Sequence, residues 1–469
     1  MYHYFFKKRA VPRLDYFMVR KNFLLFFFFV SVVVKAQPYQ PTWESLESRP
    51  VPEWYTDAKF GIFIHWGLYS VPAWATNSNA DGFGSNYAEW YWERLNNTKL
   101  KIHKEFVDFQ DRVYGPNFKY PDFAPMFKAE LFDPKLWANI IKNAGAKYVV
   151  LTSKHHDGFA LWPSAQSWNW NAWDVGPHRD LAGDLSKAVK DAGLHMGFYY
   201  SLYEWYNPLY KQDVNKYVDQ HMLPQMKDLV MRYLPDIIWP DGEWDQSDTV
   251  WRSREFIAWL YNESPVKNTV VVNDRWGSGA RHHGGFNTTE YGKGNASLSK
   301  PWEECRGIGE SFGFNRNENL EQYQTSESLV HMLIDIVSRG GNLLLNIGPA
   351  ADGTIPVIMQ QRLKDMGDWL KVNGSAIYGT TAWKEAPQQP DKAIHFTKKG
   401  KTLYIITKKW MDELAVSGIK KATSVKMLGM PGNAGFRIKS NGLVIKAPQV
   451  TPANNPCQYA WVYQVEGVF

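Results

Sequence analysis

An aspartate follows a short apolar segment in the middle of the chain, in the sequence Pro235-Asp-Ile-Ile-Trp-Pro-Asp241-Gly-Glu-Trp244. The apolar residues at 237–239 predict a buried strand, and Asp241 comes directly at its end. In a barrel of parallel strands, catalytic groups lie at the carboxyl ends of the strands. A carboxylate there, surrounded by tryptophan, is typical of a group that attacks or stabilises a sugar. The alternative, an Asp-Gly turn that merely ends the strand, stays open on this segment alone.

Glycoside hydrolysis with retention of configuration needs two carboxyl groups about 5–5.5 Å apart, one as nucleophile and one as an acid that then becomes a base. Asp241 supplies the first group. Candidates for the second lie in a loop-rich stretch that can reach over the mouth of a barrel, and they are Glu290, Glu303, Glu304 and Glu310. Glu243 is closer in sequence, but its position suits it to fixing the local turn. Residue type alone does not choose among these glutamates.

Polar residues also follow the other predicted strands. They are His65, the run His155-His156-Asp157, Tyr200, the run Asn273-Asp-Arg275, and Asn346. The carboxyl ends of barrel strands share one mouth, so these side chains are expected to surround one site. Six strands that each end in a group able to bind a hydroxyl indicate a site for a polyol.

The histidines also permit a metal site, because His155, His156 and Asp157 together with His65 could hold a divalent ion. Adjacent histidines on an extended segment point in different directions, however, and no fourth ligand has suggestive spacing. Neutral histidines that hydrogen-bond sugar hydroxyls are the favoured interpretation. A phosphate site is less favoured, since no glycine-rich segment precedes a helix.

Amphipathic helices separate the strands that must position these residues. Asp133-Pro134 provides an N-cap and a first-turn proline, and Gly145 ends the helix that they begin. The same order of helix and continuous apolar strand then recurs, which predicts a parallel sheet. Strands are predicted at 60–65, 147–153, 196–201, 237–239, 269–273 and 342–346, and helices at 134–144, 184–193, 225–233, 252–261, 326–337 and 359–370.

This alternation predicts an α/β fold with a (β/α)8-like barrel as the catalytic domain, over residues 37–380. An open doubly wound sheet is the alternative, but no Gly-x-Gly-x-x-Gly turn follows any of the strands. From residue 381 the chain changes to short strands and turns, such as 394–397 and 402–407, without helical periodicity. A small C-terminal β-sandwich is therefore expected over residues 381–469.

Residues 1–36 are predicted to be a signal peptide. A basic segment precedes the apolar run Phe23-Leu-Leu-Phe-Phe-Phe-Phe-Val-Ser-Val-Val-Val34, which is too short for an ordinary membrane span. Translation from Met18 would give a more usual, shorter basic segment before the same run. The protein is expected to be secreted, periplasmic or lysosome-like, with no membrane attachment after cleavage.

Composition excludes some classes of function. The formal net charge is +6, but seven basic residues and one acidic residue lie within 1–36, so the remainder is neutral and does not indicate nucleic acid as a partner. The 22 Trp residues supply core, and such an excess also suits a carbohydrate site. Cys305 and Cys457 are the two cysteines, too few for a disulfide scaffold, and whether they pair stays open.

Several segments then carry a family resemblance. They occur in order between about residues 40 and 383 and are Trp54-Tyr-Thr-Asp-Ala-Lys-Phe-Gly-Ile-Phe-Ile-His65-Trp-Gly, Ala88-Glu-Trp90-Tyr, Ser153-Lys-His-His-Asp-Gly-Phe159, Ile238-Trp-Pro-Asp-Gly-Glu-Trp244, Trp302-Glu-Glu-Cys305 and Ser338-Arg-Gly-Gly-Asn-Leu-Leu-Leu-Asn-Ile-Gly-Pro349. Together they resemble the α-L-fucosidases, family 29 of the glycoside hydrolases, in the broad-specificity branch similar to the animal lysosomal enzymes. The resemblance implies a barrel with a C-terminal β-sandwich and retaining exo-hydrolysis of terminal α-L-fucose, with no cofactor and no metal ion.

The resemblance also implies roles for single residues. Asp241 matches the family's nucleophile, and Glu303, which follows a tryptophan, matches the acid/base, with Glu304 and Glu290 as alternatives. Fucose binding is implied for His65, Glu89, Trp90, His155, His156, Tyr200, Trp239 and Arg275.

Trp90 and Trp239 are expected to form an apolar wall for the C5 methyl group of fucose. The histidines and Arg275 are expected to pair with its hydroxyls, which rejects sugars that would leave those buried groups unpaired. Expected partners are fucosylated oligosaccharides or glycoproteins, and a homo-oligomer is compatible with the sequence. Three alternatives stay open: an inert carbohydrate-binding homologue, a metal-dependent hydrolase, and a retaining glycosidase for a related sugar.

Overall fold

Eight parallel strands form the central sheet in a computed structural model that describes residues 38–292, 300–389 and 391–469. The strands are β1 (Phe60–Ile64), β2 (Tyr148–Lys154), β3 (His195–Ser201), β4 (Ile237–Asp241), β5 (Val271–Val272), β6 (Asn287–Glu290), β7 (Trp302–Gly307) and β8 (Asn342–Ile347). Their order across the sheet is β5-β4-β3-β2-β1-β8-β7-β6. Six of them are the strands that the apolar runs predicted.

The sheet curls until its two edge strands approach each other. The backbone N–H groups of Gly285 and Phe286, just before β6, donate to the carbonyl of Val272 in β5 at 3.1 and 3.2 Å. The expected (β/α)8-like barrel is thus confirmed, as a curled parallel sheet whose edges meet through these two bonds. Because all strands run in one direction, their carboxyl ends gather at one rim.

Strands β6 and β7 occupy the stretch that the sequence analysis assigned to loops. They read Asn287-Thr-Thr-Glu290 and Trp302-Glu-Glu-Cys-Arg-Gly307, so neither has the apolar run by which a buried parallel strand is found. Their register with each other and with β8 is nevertheless regular, with Thr288 opposite Glu303 and Glu303 opposite Asn342. Three of the four candidate glutamates, Glu290, Glu303 and Glu304, therefore lie on strands and not in loops.

Helices cover the outside of the sheet. They are α1 (Trp43–Glu47), α2 (Glu53–Ala58), α3 (Tyr91–Asn96), α4 (His103–Val113), α5 (Pro134–Asn143), α6 (Leu181–Asp191), α7 (Pro208–Gln212), α8 (Val214–Tyr217), α9 (Leu223–Tyr233), α10 (Asp248–Trp251), α11 (Ser253–Asn262), α12 (Ser326–Ser338) and α13 (Val357–Asn373). The six predicted helices correspond to α5, α6, α9, α11, α12 and α13. At α5, the Asp133 carboxylate accepts from the N–H groups of Lys135 and Leu136 at 2.9 and 3.1 Å, as the N-cap prediction requires.

Alternate residues of each strand belong to different cores. On β4, Ile237 and Trp239 pack inside the barrel with Tyr199 of β3, whereas Ile238 packs in the outer core together with Tyr200. Asp241 is two residues beyond Trp239 and four beyond Ile237, so its side chain points to the same side as theirs. Because Asp241 ends β4, it faces the mouth of the barrel.

The C-terminal part is a β-sandwich, as expected. Its strands are β9 (Thr381–Ala382), β10 (Ile394–Lys399), β11 (Thr402–Thr407), β12 (Glu413–Ser417), β13 (Ser424–Met427), β14 (Gly435–Lys439), β15 (Gly442–Lys446) and β16 (Trp461–Glu466). They form antiparallel sheets of order β13-β16-β11-β10-β9 and β12-β15-β14. Leu403, Val465, Val416 and Leu443 from the two sheets share one core.

Some expectations fall outside what the structure tests. The predicted signal peptide, residues 1–36, and the alternative start at Met18 lie outside the described residues. The division of the chain at residue 380 stays a prediction. Within the described ranges, no helix combines the length and the apolar character needed to cross a membrane. Cys305 and Cys457 are free thiols and do not form a disulfide.

Candidate active site

A cavity of about 370 Å³ opens at the carboxyl ends of the barrel strands. Eight of the ten predicted site residues line it: His65, Glu89, Trp90, His155, His156, Trp239, Asp241 and Arg275. The sequence analysis did not assign a site role to most of the remaining lining residues, which are Phe63, Phe83, Gly84, Tyr87, Arg94, Tyr199, Trp244, Glu290, Cys305 and Phe312. Aromatic walls with a few convergent polar groups are what a site for a small, hydroxylated ligand needs.

Asp241 presents its carboxylate at the end of β4 and is 9% exposed. Its Oδ1 accepts from Nη1 of Arg275 at 2.7 Å, and its Oδ2 accepts from the Tyr199 hydroxyl at 2.9 Å. Burial alone would raise the pKa of Asp241, but the charge of Arg275 and these two hydrogen bonds lower it below its ordinary value. This shift favours the ionised carboxylate.

Glu290 stands at the end of β6 and shares Arg275 with Asp241. Its Oε2 accepts from Nη2 of Arg275 at 3.4 Å, and its Oε1 accepts from the Tyr87 hydroxyl at 3.3 Å. Burial raises the pKa of Glu290 above its ordinary value, and the negative charge of Asp241 reinforces this against the opposing effect of Arg275. One arginine thus contacts two carboxyl groups whose pKa values are displaced in opposite directions, that of Asp241 downward and that of Glu290 upward.

Arg275 is itself held by two further contacts. Its Nε donates to the Thr288 hydroxyl at 3.1 Å, and its guanidinium lies over the ring of Trp239, 4.8 Å from the centroid. The stacked and hydrogen-bonded guanidinium is fixed in one orientation, so the two carboxyl groups that it bridges are fixed as well.

Glu303 does not line the cavity, which corrects the expectation that it faces the substrate. It is the second residue of β7, near the amino end of the barrel, and is fully buried. Its Oε2 accepts from the hydroxyls of Tyr55 and Tyr148 at 3.0 and 2.5 Å, and its Oε1 accepts from the indole N–H of Trp239 at 2.9 Å. Burial raises the pKa of Glu303 to about 7. Trp239 lines the cavity with its ring and turns its N–H toward Glu303.

The other two candidates also lie elsewhere. Glu304, on the opposite face of β7, accepts from Nε of Arg306 at 2.6 Å and from the backbone N–H of Gly292 at 2.9 Å. Glu310 is exposed and accepts from Nδ2 of Asn86 at 2.9 Å. Of the four glutamates that the sequence left open, Glu290 is the one that lines the cavity with Asp241.

The orientation of the His65 ring is set by a hydrogen bond to Asn346. Its Nδ1 lies 2.7 Å from Oδ1 of Asn346, whose Nδ2 donates to the carbonyl of Phe312 at 2.6 Å. That second bond fixes the amide, so Nδ1 of His65 carries the proton and Nε2 is left as an acceptor. Burial lowers the pKa of His65 to about 4, so the ring is neutral.

The orientation of the His156 ring is likewise set by a hydrogen bond at its Nδ1. The Ser201 hydroxyl donates to the carbonyl of Tyr203, so its oxygen accepts from Nδ1 of His156 at 2.7 Å, while Nε2 lies 3.8 Å from Asp241. Burial lowers the pKa of His156 to about 4 and that of His155 well below its ordinary value. A neutral imidazole can accept a hydrogen bond from a hydroxyl, and binding of sugar hydroxyls by these histidines stays a prediction. Among the described residues, no group of three His, Cys, Asp or Glu side chains is placed to hold a metal ion.

Glu89 and Trp90 come from the short 3-10 helix Ala88–Trp90 that leads into α3. The carboxylate of Glu89 accepts from the backbone N–H of Gly313 at 2.8 Å and from the Ser311 hydroxyl at 3.3 Å. Burial raises the pKa of Glu89 to about 7. Trp90 is held by Arg94, whose guanidinium lies 5.1 Å from the centre of its ring.

Tyr200 lies outside the site, which is a second correction. Its hydroxyl donates to Oε1 of Gln225 at 2.8 Å, and Nζ of Lys154 lies 4.0 Å from the centre of its ring. The neighbouring Tyr199 lines the cavity instead. Successive residues of a strand face opposite sides, so an error of one position exchanges a site residue for an outer core residue.

Comparison with known proteins agrees with this geometry. Residues 26–375 match the family model described as alpha-L-fucosidase, and residues 388–466 match the model for the alpha-L-fucosidase C-terminal domain. These two matches cover the barrel and the β-sandwich in turn.

Three relatives illustrate how far the likeness extends. An alpha-L-fucosidase of Branchiostoma floridae is 44% identical, over 92% of this chain and 96% of its own, and the tissue alpha-L-fucosidase of Homo sapiens is 42% identical, over 95% and 96%. The crystal structure of a Thermotoga maritima alpha-fucosidase in complex with a mechanism-based inhibitor superposes with a TM-score of 0.80 at 38% identity, over 92% of this chain and all of its own. The chain belongs to the α-L-fucosidase family of glycoside hydrolases.

Proposed function

We propose that the protein removes terminal α-L-fucose by a retaining, double-displacement mechanism, with Asp241 as nucleophile and Glu290, in place of Glu303, as acid/base. The observation that carries this assignment is the pair of carboxyl groups on Arg275, whose pKa values are displaced in opposite directions. Two titratable groups whose environments separate their pKa values divide naturally into nucleophile and acid.

In the first step, the ionised carboxylate of Asp241 attacks C1 of fucose while Glu290 gives its proton to the glycosidic oxygen. The bond between C1 and that oxygen breaks, the sugar alcohol leaves, and fucose stays bound to Asp241 as an ester. As Asp241 loses its charge and Glu290 gains one, Arg275 can transfer its pairing from the first to the second without moving far.

In the second step, Glu290 takes a proton from water, and the water oxygen attacks C1. The ester bond to Asp241 breaks, and both carboxyl groups return to their starting states. Two inversions at C1 give net retention, so α-L-fucose is the first product. Neither step calls for a cofactor.

Fucose recognition follows from the neutral histidines and the aromatic walls. Nε2 of His65 and Nε2 of His156 are acceptors aimed at sugar hydroxyls, and Glu89 adds a carboxyl group. Trp239 and Trp90 line the same cavity and suit the C5 methyl group and the ring C–H bonds. The expected substrates are fucosylated oligosaccharides and glycoproteins.

Export of the protein is part of the proposal. The apolar run within residues 1–36 supports it, and one of the relatives, 44% identical over 92% of this chain, is a plasma alpha-L-fucosidase of Homo sapiens. Assembly into a homo-oligomer stays a prediction.

The direct test is the configuration of the first sugar released. An aryl α-L-fucoside is mixed with the enzyme, and proton NMR follows the anomeric signals before they equilibrate by mutarotation. We expect α-L-fucose to appear first. Initial release of β-L-fucose would overturn the double displacement, and absence of hydrolysis would overturn the activity itself.

A further inference from the structure

We propose that a second cavity, on the Glu290 side of the fucose pocket, binds the sugar to which fucose is attached, and that it selects an uncharged, hydroxyl-rich sugar. This inference rests on the proposed function, because it uses Glu290 as the group that protonates the leaving oxygen. The cavity measures about 400 Å³ and shares Phe83, Gly84 and Tyr87 with the fucose pocket. The two are therefore continuous across these residues.

The mechanism requires the leaving sugar to lie on this side. The acid and the nucleophile flank the bond that breaks, so the leaving group departs on the side of the acid. The Tyr87 hydroxyl donates to Glu290 at 3.3 Å, and Tyr291, the next residue in the chain, lines the second cavity. A sugar whose oxygen reaches the Glu290 carboxyl group has this cavity directly beside it.

The lining suits a sugar. Phe83 is 69% exposed, and its ring meets the rings of Tyr87 and Tyr291 edge to face, with both centroids 5.5 Å away. Its open face can pack against the C–H bonds of a sugar ring. Asn79 and Glu310 add an exposed amide and an exposed carboxylate for hydroxyls.

The charge of the lining indicates which sugars fit. Among the described residues that line this cavity, Glu310 is charged and none is basic. The nearest described cations, Arg94 beside Gly84 and Arg306 over the ring of Tyr291, are already paired with Glu93 and Glu304. A sulfate or a carboxylate on the leaving sugar would face Glu310 and compete for these paired cations, so anionic substituents are disfavoured.

Trp244 offers a different position for the leaving sugar. It lines the fucose pocket but not the second cavity, is 43% exposed, and its ring lies 5.6 Å from that of His156. An exposed indole can also hold a sugar, so the experiment below separates the Trp244 position from the second cavity.

The test compares two substrates in one double variant, Asn79→Ala with Glu310→Ala. Both side chains are exposed and neither lines the fucose pocket, so the fold and the fucose site should survive. The substrates are the neutral disaccharide α-L-fucosyl-(1→2)-D-galactose and α-L-fucosyl fluoride, whose leaving group is too small to reach the cavity. The matched control is Asp245→Ala, an exposed carboxylate on the Trp244 side that accepts from Tyr210 at 2.7 Å.

We expect kcat/KM for the disaccharide to fall about tenfold in the double variant, as for the loss of two hydrogen bonds, with no change for the fluoride. The control should change neither value. Glu310→Gln should also reduce the discrimination against a disaccharide sulfated on galactose. Equal losses on both substrates, no loss on either, or a disaccharide-specific loss in Asp245→Ala alone would each overturn the subsite. Failure of the parent enzyme on the fluoride would instead overturn the proposed function.

Discussion

The two ends of the barrel carry similar residues and differ in what those residues can do. At the carboxyl end, Asp241 and Glu290 face a cavity and share the guanidinium of Arg275. At the amino end, Glu303 is fully buried. Its three donors are all neutral, and they are Tyr55, Tyr148 and Trp239.

Access to the cavity and nearby charge, more than residue type, distinguish the carboxyl groups that we propose as catalytic from Glu303. Arg275 lowers the pKa of Asp241, whereas burial and the charge of Asp241 raise the pKa of Glu290 against the effect of the same arginine. Neutral donors around Glu303 satisfy its oxygens, but burial raises its pKa to about 7, and Glu303 does not line the cavity that holds Asp241. Trp239 joins the two ends, because its ring faces the cavity and its N–H donates to Glu303.

The largest effect is expected for Asp241→Gly. Loss of the nucleophile should lower kcat on an aryl α-L-fucoside by roughly 10⁴-fold or more. Added azide should enter the vacated space and partly restore turnover, with β-L-fucosyl azide as the product identified by NMR. Activity close to that of the parent would remove Asp241 from the mechanism.

Glu290→Ala should come next. General acid catalysis contributes about 10²–10⁴-fold, so the loss should reach that range for substrates with poor leaving groups and be small for activated aryl fucosides. Measuring kcat/KM against the pKa of the leaving phenol, alongside Glu303→Ala as the comparison, checks this. A steep dependence in Glu303→Ala with none in Glu290→Ala would reverse our assignment.

A smaller loss of activity is expected for Tyr199→Phe, with the neighbouring Tyr200→Phe as its matched control. Tyr199→Phe removes the hydroxyl that donates to Asp241 at 2.9 Å. Because a hydrogen bond to a charged group contributes about 1.5–3 kcal/mol, we expect kcat/KM to fall about tenfold to a hundredfold. Tyr200→Phe removes a bond to Gln225 in the outer core and should leave kcat/KM unchanged. Equal kinetic losses in the two variants would mean that the faces of β3 are not as described.

Glu303→Gln is expected to have the smallest effect on kcat. It should instead change how the free energy of unfolding depends on pH. The folded state holds the proton of Glu303 up to about pH 7, whereas the unfolded chain loses it near 4.5. The stability that this proton contributes is present below pH 4.5 and lost as pH rises to about 7. The free energy of unfolding, measured in denaturant, should therefore decline less over this interval in the variant than in the parent. An unaltered slope, or a large loss of kcat, would contradict a structural role.

Apolar patterning was enough to predict six strands, six helices and the change to a β-sandwich. It could not predict β6 and β7, because Asn287-Thr-Thr-Glu290 and Trp302-Glu-Glu-Cys-Arg-Gly307 place polar side chains on buried strands. Those groups are tolerated because the fold supplies partners from distant segments, such as Asp274 for Thr288 and Tyr55 for Glu303. Partners of that kind are not visible in a local pattern.

Some residues of the candidate site could also be predicted from the sequence, and others could not. Asp241 was predicted correctly to face the mouth, because an apolar run ends directly before it. Tyr200 was chosen over Tyr199, since the bulky run Phe198-Tyr199-Tyr200 gives no sign of which residues face inward. The resemblance ranked Glu303 above Glu290, but Glu290 stands at the end of β6 and Glu303 near the beginning of β7.

Azide rescue of Glu290→Ala and Glu303→Ala tests most directly which of the two glutamates is the acid/base. In Glu290→Ala, an activated aryl fucoside can still form the ester with Asp241, and azide can then attack it without base assistance. We predict that azide accelerates Glu290→Ala and gives α-L-fucosyl azide, with retained configuration, while Glu303→Ala is not accelerated. Rescue of Glu303→Ala to the α-azide, with no rescue of Glu290→Ala, would contradict the assignment of the acid/base to the mouth of the barrel.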